Sequence, residues 1–513
     1  MNLPFSSRPR PATKAHRRPR TRKACQPGLH ALEGRIVLSA IFDSVLSVGN
    51  DVGYLDPEDN AVDAAGNTYV TGRFAKTIDF DPLVNRADGS DILTARGTTD
   101  AFVAKYAPGG TLVWARRMGS DYVRSYSPVK ASDPTEGGQG LAVDGSGNVV
   151  VTGHFTGQAD FGTITLTGAG SGDVYVAKLN AAGSFLWANR WGGATFDRGN
   201  AIAVDADGSV ISTGYTAPIT SSGGWYADGF EVHKYSPTGA AVWTKRIDNY
   251  GGIADGLAAD PAGNVYVSGS FSGTADFNPD PKKSNSVTGS TVVSGGQGVN
   301  GFVLKLTATG VFAWVSPFVA KTSEVSGSAV YCNDIAVDSA GNVIFGGAYY
   351  GQVDFNPSAA GNYRLPTGIG DNSYVTKLSP SGSLVWANRL GGARLRSVAV
   401  DSSGAVYTAG AFVNLFEPGF GQPAATSNGN YQAFVTKYSG AGALDWSATF
   451  GGPGSEEAKA ICIDAAGSIY IAGAFQEDPA NPGAADFDPD PVAKHELPNT
   501  SLIDIFLLKL RQS

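Results

Sequence analysis

Short runs in which apolar residues alternate with small or polar ones recur along this chain, each broken by a turn signal. In "NAIAVDADGSVISTGYT", residues 200–216, one alternating run meets Asp205, Asp207 and Gly208, and a second run follows. Period-two patterning bounded by Asp and Gly predicts two half-buried strands joined by a tight turn. The pattern returns around Asp63, Asp144, Asp260, Asp338, Asp401 and Asp464, as in "LAVDGSGNVVVTGHF" and "LAADPAGNVYVSGSF", and with Asp205 there are seven copies.

A second alternating unit follows each copy, as in "VYVAKLNAAGSFLWA" and "FVTKYSGAGALDWS", the last shortened to "IFLLKL". Its lysine recurs as Lys105, Lys178, Lys234, Lys305, Lys377, Lys437 and Lys509, and its tryptophan as Trp114, Trp187, Trp243, Trp314, Trp386 and Trp446. Each repeat therefore predicts four antiparallel strands, named A to D from the Ala-Val-Asp run outward. A period of roughly 40 to 60 residues is that of a propeller blade, which buries both faces only between two neighbours. The expected fold is all-β, a seven-bladed β-propeller over residues 41–513 with blades beginning near 59, 139, 200, 255, 333, 396 and 459. The last repeat ends after strand C, and "IFDSVLSVG", residues 41–49, is expected to supply its strand D and so cover the sheet edge. The A–B and C–D turns then share one face. The B–C and D–A connections share the other, which carries long variable segments at 120–139, 278–300 and 476–501, where a binding surface is expected.

Composition supports this picture. Gly is 68 of 513 residues and charged residues are only 16%, which favours many tight turns over long solvated helices. Residues 1–40 hold nine Lys or Arg against Glu33 alone, while residues 41–513 hold 29 basic and 45 acidic residues. That acidity argues against nucleic-acid binding by the body, because phosphate contact needs a basic face. The basic head "RPRPATKAHRRPRTRK" reads as a disordered leader, the alternative being a polyanion-binding arm. No apolar run is long enough to span a bilayer. Cys25, Cys332 and Cys462 have no zinc spacing. Cys332 and Cys462 fall two blades apart and are expected to be free thiols.

The candidate chemistry lies in acids. The seven turn aspartates precede a Gly-containing turn in every copy, where a carboxylate accepts backbone N–H bonds two residues on, so hairpin chemistry is expected there rather than calcium. The B–C connections hold a second set: "IDFDP" with Asp79 and Asp81, "ADFNPDP" with Asp276, Asn278 and Asp280, "VDFNP" with Asp354 and Asn356, and "ADFDPDP" with Asp486, Asp488 and Asp490. Alternating oxygen side chains could coordinate calcium. The other reading is a turn whose Phe plugs the blade end while its acids stay in water. The lysines are expected to face away from the buried side chains or reach along the blade surface, and the tryptophans to fill the space between blades. The five histidines show no metal spacing and no phosphate loop is present.

Two resemblances follow from these residues. "LEGRIVLSA", Leu32 to Ala40, resembles the LEPR-XLL type N-terminal motif of exported bacterial surface proteins, with Gly34 in place of Pro and Val37 in place of Leu; it implies export to the cell surface or the extracellular space. "AIAVD", "GNVYVSG", "FVTK" and "LVWANRLGG" resemble the SBBP-type repeat of exported bacterial seven-bladed propellers, a family that mostly lacks an assigned activity. The function expected is a monomeric, non-catalytic binding or scaffold module for a protein or glycan partner. The alternative is a polysaccharide hydrolase or lyase that uses loop carboxylates near the central channel.

Overall fold

The computed structural model describes residues 40–512 apart from 50–52, 82–83, 85, 124–135, 218–228, 249–251, 291–297, 320–327, 359–361, 368–370, 420–421, 423, 428–429, 477, 479–482, 491–492 and 498–502. The leader with Cys25, and parts of the long variable connections, lie outside the described residues. All regular elements described are β-strands.

Every copy of the Asp turn joins the first two strands of a four-stranded antiparallel meander. In the first, A is Tyr54–Val62, B Thr68–Ala75, C Asp100–Tyr106 and D Leu112–Ser120, paired in that order. The other A strands are Gly137–Val143, Phe196–Val204, Ile253–Ala259, Asp334–Val337, the second half of Leu384–Val400, and Ser455–Ile463. Leu384–Val400 is one continuous strand: it serves as D of the fifth meander and A of the sixth, turning at bulges after Gly391 and Leu395. In the last meander, strand C (Asp504–Gln512) pairs with Ile469–Gln476 on one side and with Ala40–Val48 on the other. The bulge between Phe42 and Ser44 turns out Asp43, whose carboxylate meets Lys509 at 3.2 Å and Arg511.

The Asp turns form as hairpins because one side chain replaces missing ladder bonds. Asp63 Oδ1 accepts the N–H of Ala65 and of Asn67 at 3.0 and 2.9 Å, and Gly66, at φ +78°, lets the chain reverse. All seven copies repeat these two bonds. Asp205 is no exception, and Asp207 beside it points to solvent as an exposed residue. The strand-C lysines are not at the surface as expected. Lys105, Lys178, Lys234, Lys377 and Lys437 are buried; an ion pair to the turn aspartate offsets desolvation in the first four, as in Lys178–Asp144 at 2.9 Å and Lys234–Asp205 at 2.7 Å, while Lys437 donates to Gln512 Oε1.

The core is a series of layers between neighbouring meanders. Tyr69, Val103 and Trp114 of the first pack with Leu141, Val149, Phe155 and Tyr175 of the second. Each strand-D tryptophan reaches the next meander. Trp114 Nε1 donates to Ala181 O at 3.1 Å, and Trp187, Trp243, Trp314 and Trp386 repeat the bond to Pro237, Ala308, Pro380 and Gly440. The first meander also packs on the last: Val48, Leu55, Phe74 and Phe102 share a cluster with Ala472 and Ile505, and Asn60 Nδ2 donates to Tyr470 O at 3.2 Å. Cys332 and Cys462 are free thiols.

Candidate functional site

Strand A of six of the seven meanders carries a register shift at one repeated place. The pairing with strand B slips between Pro57 and Asp59, Gly138 and Gly140, Gly199 and Ala201, Ala254 and Gly256, Leu395 and Ser397, and Ala458 and Ala460. The extra residues are Glu58, Gln139, Asn200, Asp255, Arg396 and Lys459; Asn333, just before Asp334–Val337, holds the same place five residues ahead of its turn aspartate. A β-bulge leaves one residue out of the ladder and re-aims its side chain. All seven of these residues line one cavity of about 410 Å³, together with Arg198, Tyr215 and Ile253.

The following residue explains why the strands can come so close. It is small in four copies, and an added Cβ on Gly140 would stand 3.1 Å from Ala201 Cα of the neighbouring strand, one on Gly256 3.1 Å from Asp334 Cα. Where this residue is acidic it bonds across the seam instead. Asp59 Oδ2 accepts Leu141 N at 2.7 Å, and Asp334 Oδ2 accepts Ser397 Oγ and Val398 N, both at 2.8 Å. Burial pushes Asp59 up to about 8 and Asp334 up to about 6, with those hydrogen bonds opposing.

The cavity wall is polar and of mixed sign. Lys459 Nζ is 2.6 Å from Asp56 Oδ1, and Arg396 Nε is 2.6 Å from Glu457. Arg198 donates to Gln139 Oε1. Asn200 Nδ2 donates to Ala254 O at 2.9 Å and Asn333 Nδ2 to Leu395 O at 3.0 Å, so each amide turns its oxygen away from the neighbouring strand. Asp255 has no hydrogen bond or ion pair among the described residues, and burial pushes it up to about 7 against the pull of Arg198. Such a wall offers donors, acceptors and both charges within one concave site.

The acids singled out in the B–C connections lie elsewhere and serve turns. Asp79 Oδ1 accepts Asp81 N at 2.9 Å, and Asp81 pairs with Arg86 at 3.2 Å. Asp276 Oδ1 accepts the N–H of Asn278 and Asn285, Asn278 Oδ1 that of Asp280, and Asp280 Oδ1 that of Lys282. Asp354 Oδ1 takes the N–H of Asn356 and Tyr363. Asp486 Oδ1 takes the N–H of Asp488 and His495, Asp488 Oδ1 that of Asp490, and Asp488 Oδ2 lies 2.8 Å from His495 Nδ1. Phe80, Phe277, Phe355 and Phe487 between them are fully buried, plugging the blade end. Among the described residues no three or more His, Cys, Asp or Glu side chains are grouped as metal ligands.

Comparison with known proteins bears on the fold. No protein-family model matches the chain, so the resemblance to SBBP-type repeats rests on the repeat residues alone. An uncharacterized WD repeat-containing protein of Acanthamoeba polyphaga mimivirus is 28% identical over 211 residues, which are 36% of this chain and 15% of that protein. This chain thus spans only a small part of that relative. Among solved structures, a chain of the mitotic checkpoint complex covers 92% of this chain and 96% of its own length at TM-score 0.42 and 10% identity. A Synechocystis apocarotenoid oxygenase covers 91% and 96% at 0.42 and 10%. A polysaccharide lyase, an ulvan lyase, covers 84% and 93% at 0.41 and 12%. With its meanders stacked face to face and their A strands around one cavity, the fold is a β-propeller repeat.

The bulged positions carry a signal that the motif reading passed over. Five residues before each turn aspartate, all seven copies hold a polar side chain.

Proposed function

We propose that the chain forms a closed ring of seven blades and acts as a binding module whose ligand, a protein segment or a glycan, enters the cavity at the centre of the A strands. The supporting observation is that seven equivalent positions, six of them on bulges, bring polar side chains to one open cavity, a use of the repeat that core packing does not require. Rigid bulges on paired strands hold such groups more firmly than mobile loops would. The Leu32–Ala40 segment supports placing the protein outside the cell or at its surface.

A second reading is a polysaccharide hydrolase or lyase. Glu58 and Asp255 are both cavity carboxyls, and Asp255, pushed up to about 7, falls in the range of a general acid at neutral pH. One experiment separates the two. The body, residues 40–513, is screened on peptide and glycan arrays and in a product assay with the glycans it retains. Binding that the Asn200→Ala/Asn333→Ala double variant loses, without release of product, supports the module. Turnover lost in Asp255→Asn supports the enzyme. Ligands retained undiminished by both variants would remove the cavity from either role.

A further inference from the structure

We infer that the group held in the cavity is basic, the protonated amine or guanidinium of a cationic peptide segment, seated against Asn200, Asp255 and Asn333. This deepens the binding reading above and rests on it. The three residues come from consecutive repeats, the third, fourth and fifth, and occupy the same bulged place. One N–H of each amide is committed to a backbone carbonyl of the next strand, Ala254 O and Leu395 O, and neither amide oxygen has a hydrogen bond among the described residues. Between them stands Asp255, with no donor among the described residues. The arc thus presents three side chains with unoccupied oxygen acceptors at equivalent places of consecutive repeats. A half-buried carboxylate without a hydrogen bond gains from a charge-assisted donor, and an ammonium or guanidinium brings several N–H groups to a wall of acceptors.

Two of the three cations on the wall are matched away from this arc, and Arg198, whose charge pulls on Asp255, is shared with Gln139. Lys459 is matched by Asp56, Arg396 by Glu457, and Arg198 gives a donor to Gln139. Tyr215 and Ile253, on the same wall, offer an apolar flank to the aliphatic stem of a lysine or arginine. The long-range field agrees, since residues 41–513 hold 45 acidic against 29 basic side chains and so attract cationic segments and repel polyanions. The volume, about 410 Å³, admits one or two such side chains and excludes a folded domain.

The test uses calorimetric titration of the body at physiological salt with a lysine-rich decapeptide, the same peptide with its lysines acetylated, and an oligogalacturonate. The lysine peptide is expected to bind saturably, the acetylated peptide about tenfold or more weaker, and the oligogalacturonate not at all. Asp255→Asn, with its melting point checked against the parent, should weaken the lysine peptide about tenfold or more, while Lys283→Gln, on an exposed B–C connection away from the cavity, should not weaken it. Binding of the lysine peptide that Asp255→Asn leaves unchanged would mean attraction by surface charge alone and would overturn the inference. Oligogalacturonate binding lost in Arg396→Gln would overturn the ligand class and keep the cavity as a site. No binding by any probe overturns the inference, and the array screen then decides the broader reading by itself.

Discussion

At the scale of single residues, the repeat meets one buried carboxylate in two ways. Six residues after the turn aspartate stands either Tyr (Tyr69, Tyr266, Tyr407, Tyr470) or an aliphatic residue (Val150, Ile211, Ile344). Where it is Tyr, its hydroxyl donates to the aspartate Oδ2, as Tyr69 does to Asp63 at 2.9 Å, and the lysine withdraws over the ring, Lys105 Nζ lying 4.9 Å from the Tyr69 centroid and 3.7 Å from Asp63. Where it is aliphatic, the lysine closes on the carboxylate, at 2.9 Å for Lys178, 2.7 Å for Lys234 and 3.0 Å for Lys377. The two kinds of copy should respond differently to the same substitution. Lys178→Met is expected to cost about 3 kcal/mol, because Asp144 loses a buried counter-ion, and Lys105→Met about 1 kcal/mol, because the Tyr69 hydroxyl remains. Urea unfolding of both variants measures this, and equal losses would refute the exchange. The hairpin role of these aspartates was legible in the sequence since it depends on the next four residues. The lysine's burial was not, because alternation along strand C cannot tell the interior of a blade stack from its surface.

At the scale of elements, the link between neighbouring meanders is a tryptophan laid on a glycine. A Cβ on Gly442 would stand 2.8 Å from the Trp386 ring and one on Gly183 2.7 Å from Trp114, so these turn glycines answer both to a positive φ and to the indole above them. The seam between the last and first meanders departs from this. Ser44 pairs with Lys509 where Trp114 pairs with Lys105, and Gly110 meets only Leu46 at 4.0 Å, beside a cavity of about 100 Å³. Trp446 correspondingly has no partner for its Nε1 among the described residues, since no C–D turn joins Gln512 to Ala40 in the last meander. Both Gly110 and Gly442 have φ above +80°, so replacement by Ala carries a similar backbone cost of about 1 kcal/mol. Gly442→Ala should lose about 2 kcal/mol more, from overpacking against Trp386. Thermal melting of the two variants checks the difference, and matched melting points would show that the indole contact contributes nothing.

At the scale of the whole molecule, burial of carboxyls sets the response to pH. Asp59 is pushed up to about 8, Glu136, Asp255 and Glu456 to about 7, and Asp197 and Asp334 to about 6, in each case chiefly by burial. Each such group takes up its proton at a higher pH in the folded chain than in the unfolded one. Its contribution is therefore complete below the ordinary carboxylate range and is lost as pH rises through 6 to 8. The turn aspartates Asp63, Asp144, Asp260, Asp338 and Asp401 run the other way: burial opposes, and hydrogen bonds outweigh it, holding them below the ordinary value. Their contribution disappears as pH falls below that range. The melting temperature is expected to rise from pH 8 to a maximum near pH 5 and to fall again in stronger acid. A melting temperature that climbs steadily from pH 5 to pH 8 would contradict this assignment.

The sequence by itself determined the repeat, its strands and its turns, because alternation and Asp-x-x-Gly chemistry act within one hairpin and need no distant partner. It also marked the Phe of the acidic connections as a plug, since an aromatic between polar turn residues has nowhere else to go. Only the tertiary structure decided where the cavity lies. Glu58, Gln139, Asn200, Asp255, Asn333, Arg396 and Lys459 are as far apart in sequence as the repeats themselves, and they meet because each holds the same place at the inner edge of its own sheet, six of them on a bulge. A bulge is one residue of extra length that alternation alone does not mark, and the convergence of these seven side chains is a property of stacking, which no single repeat encodes.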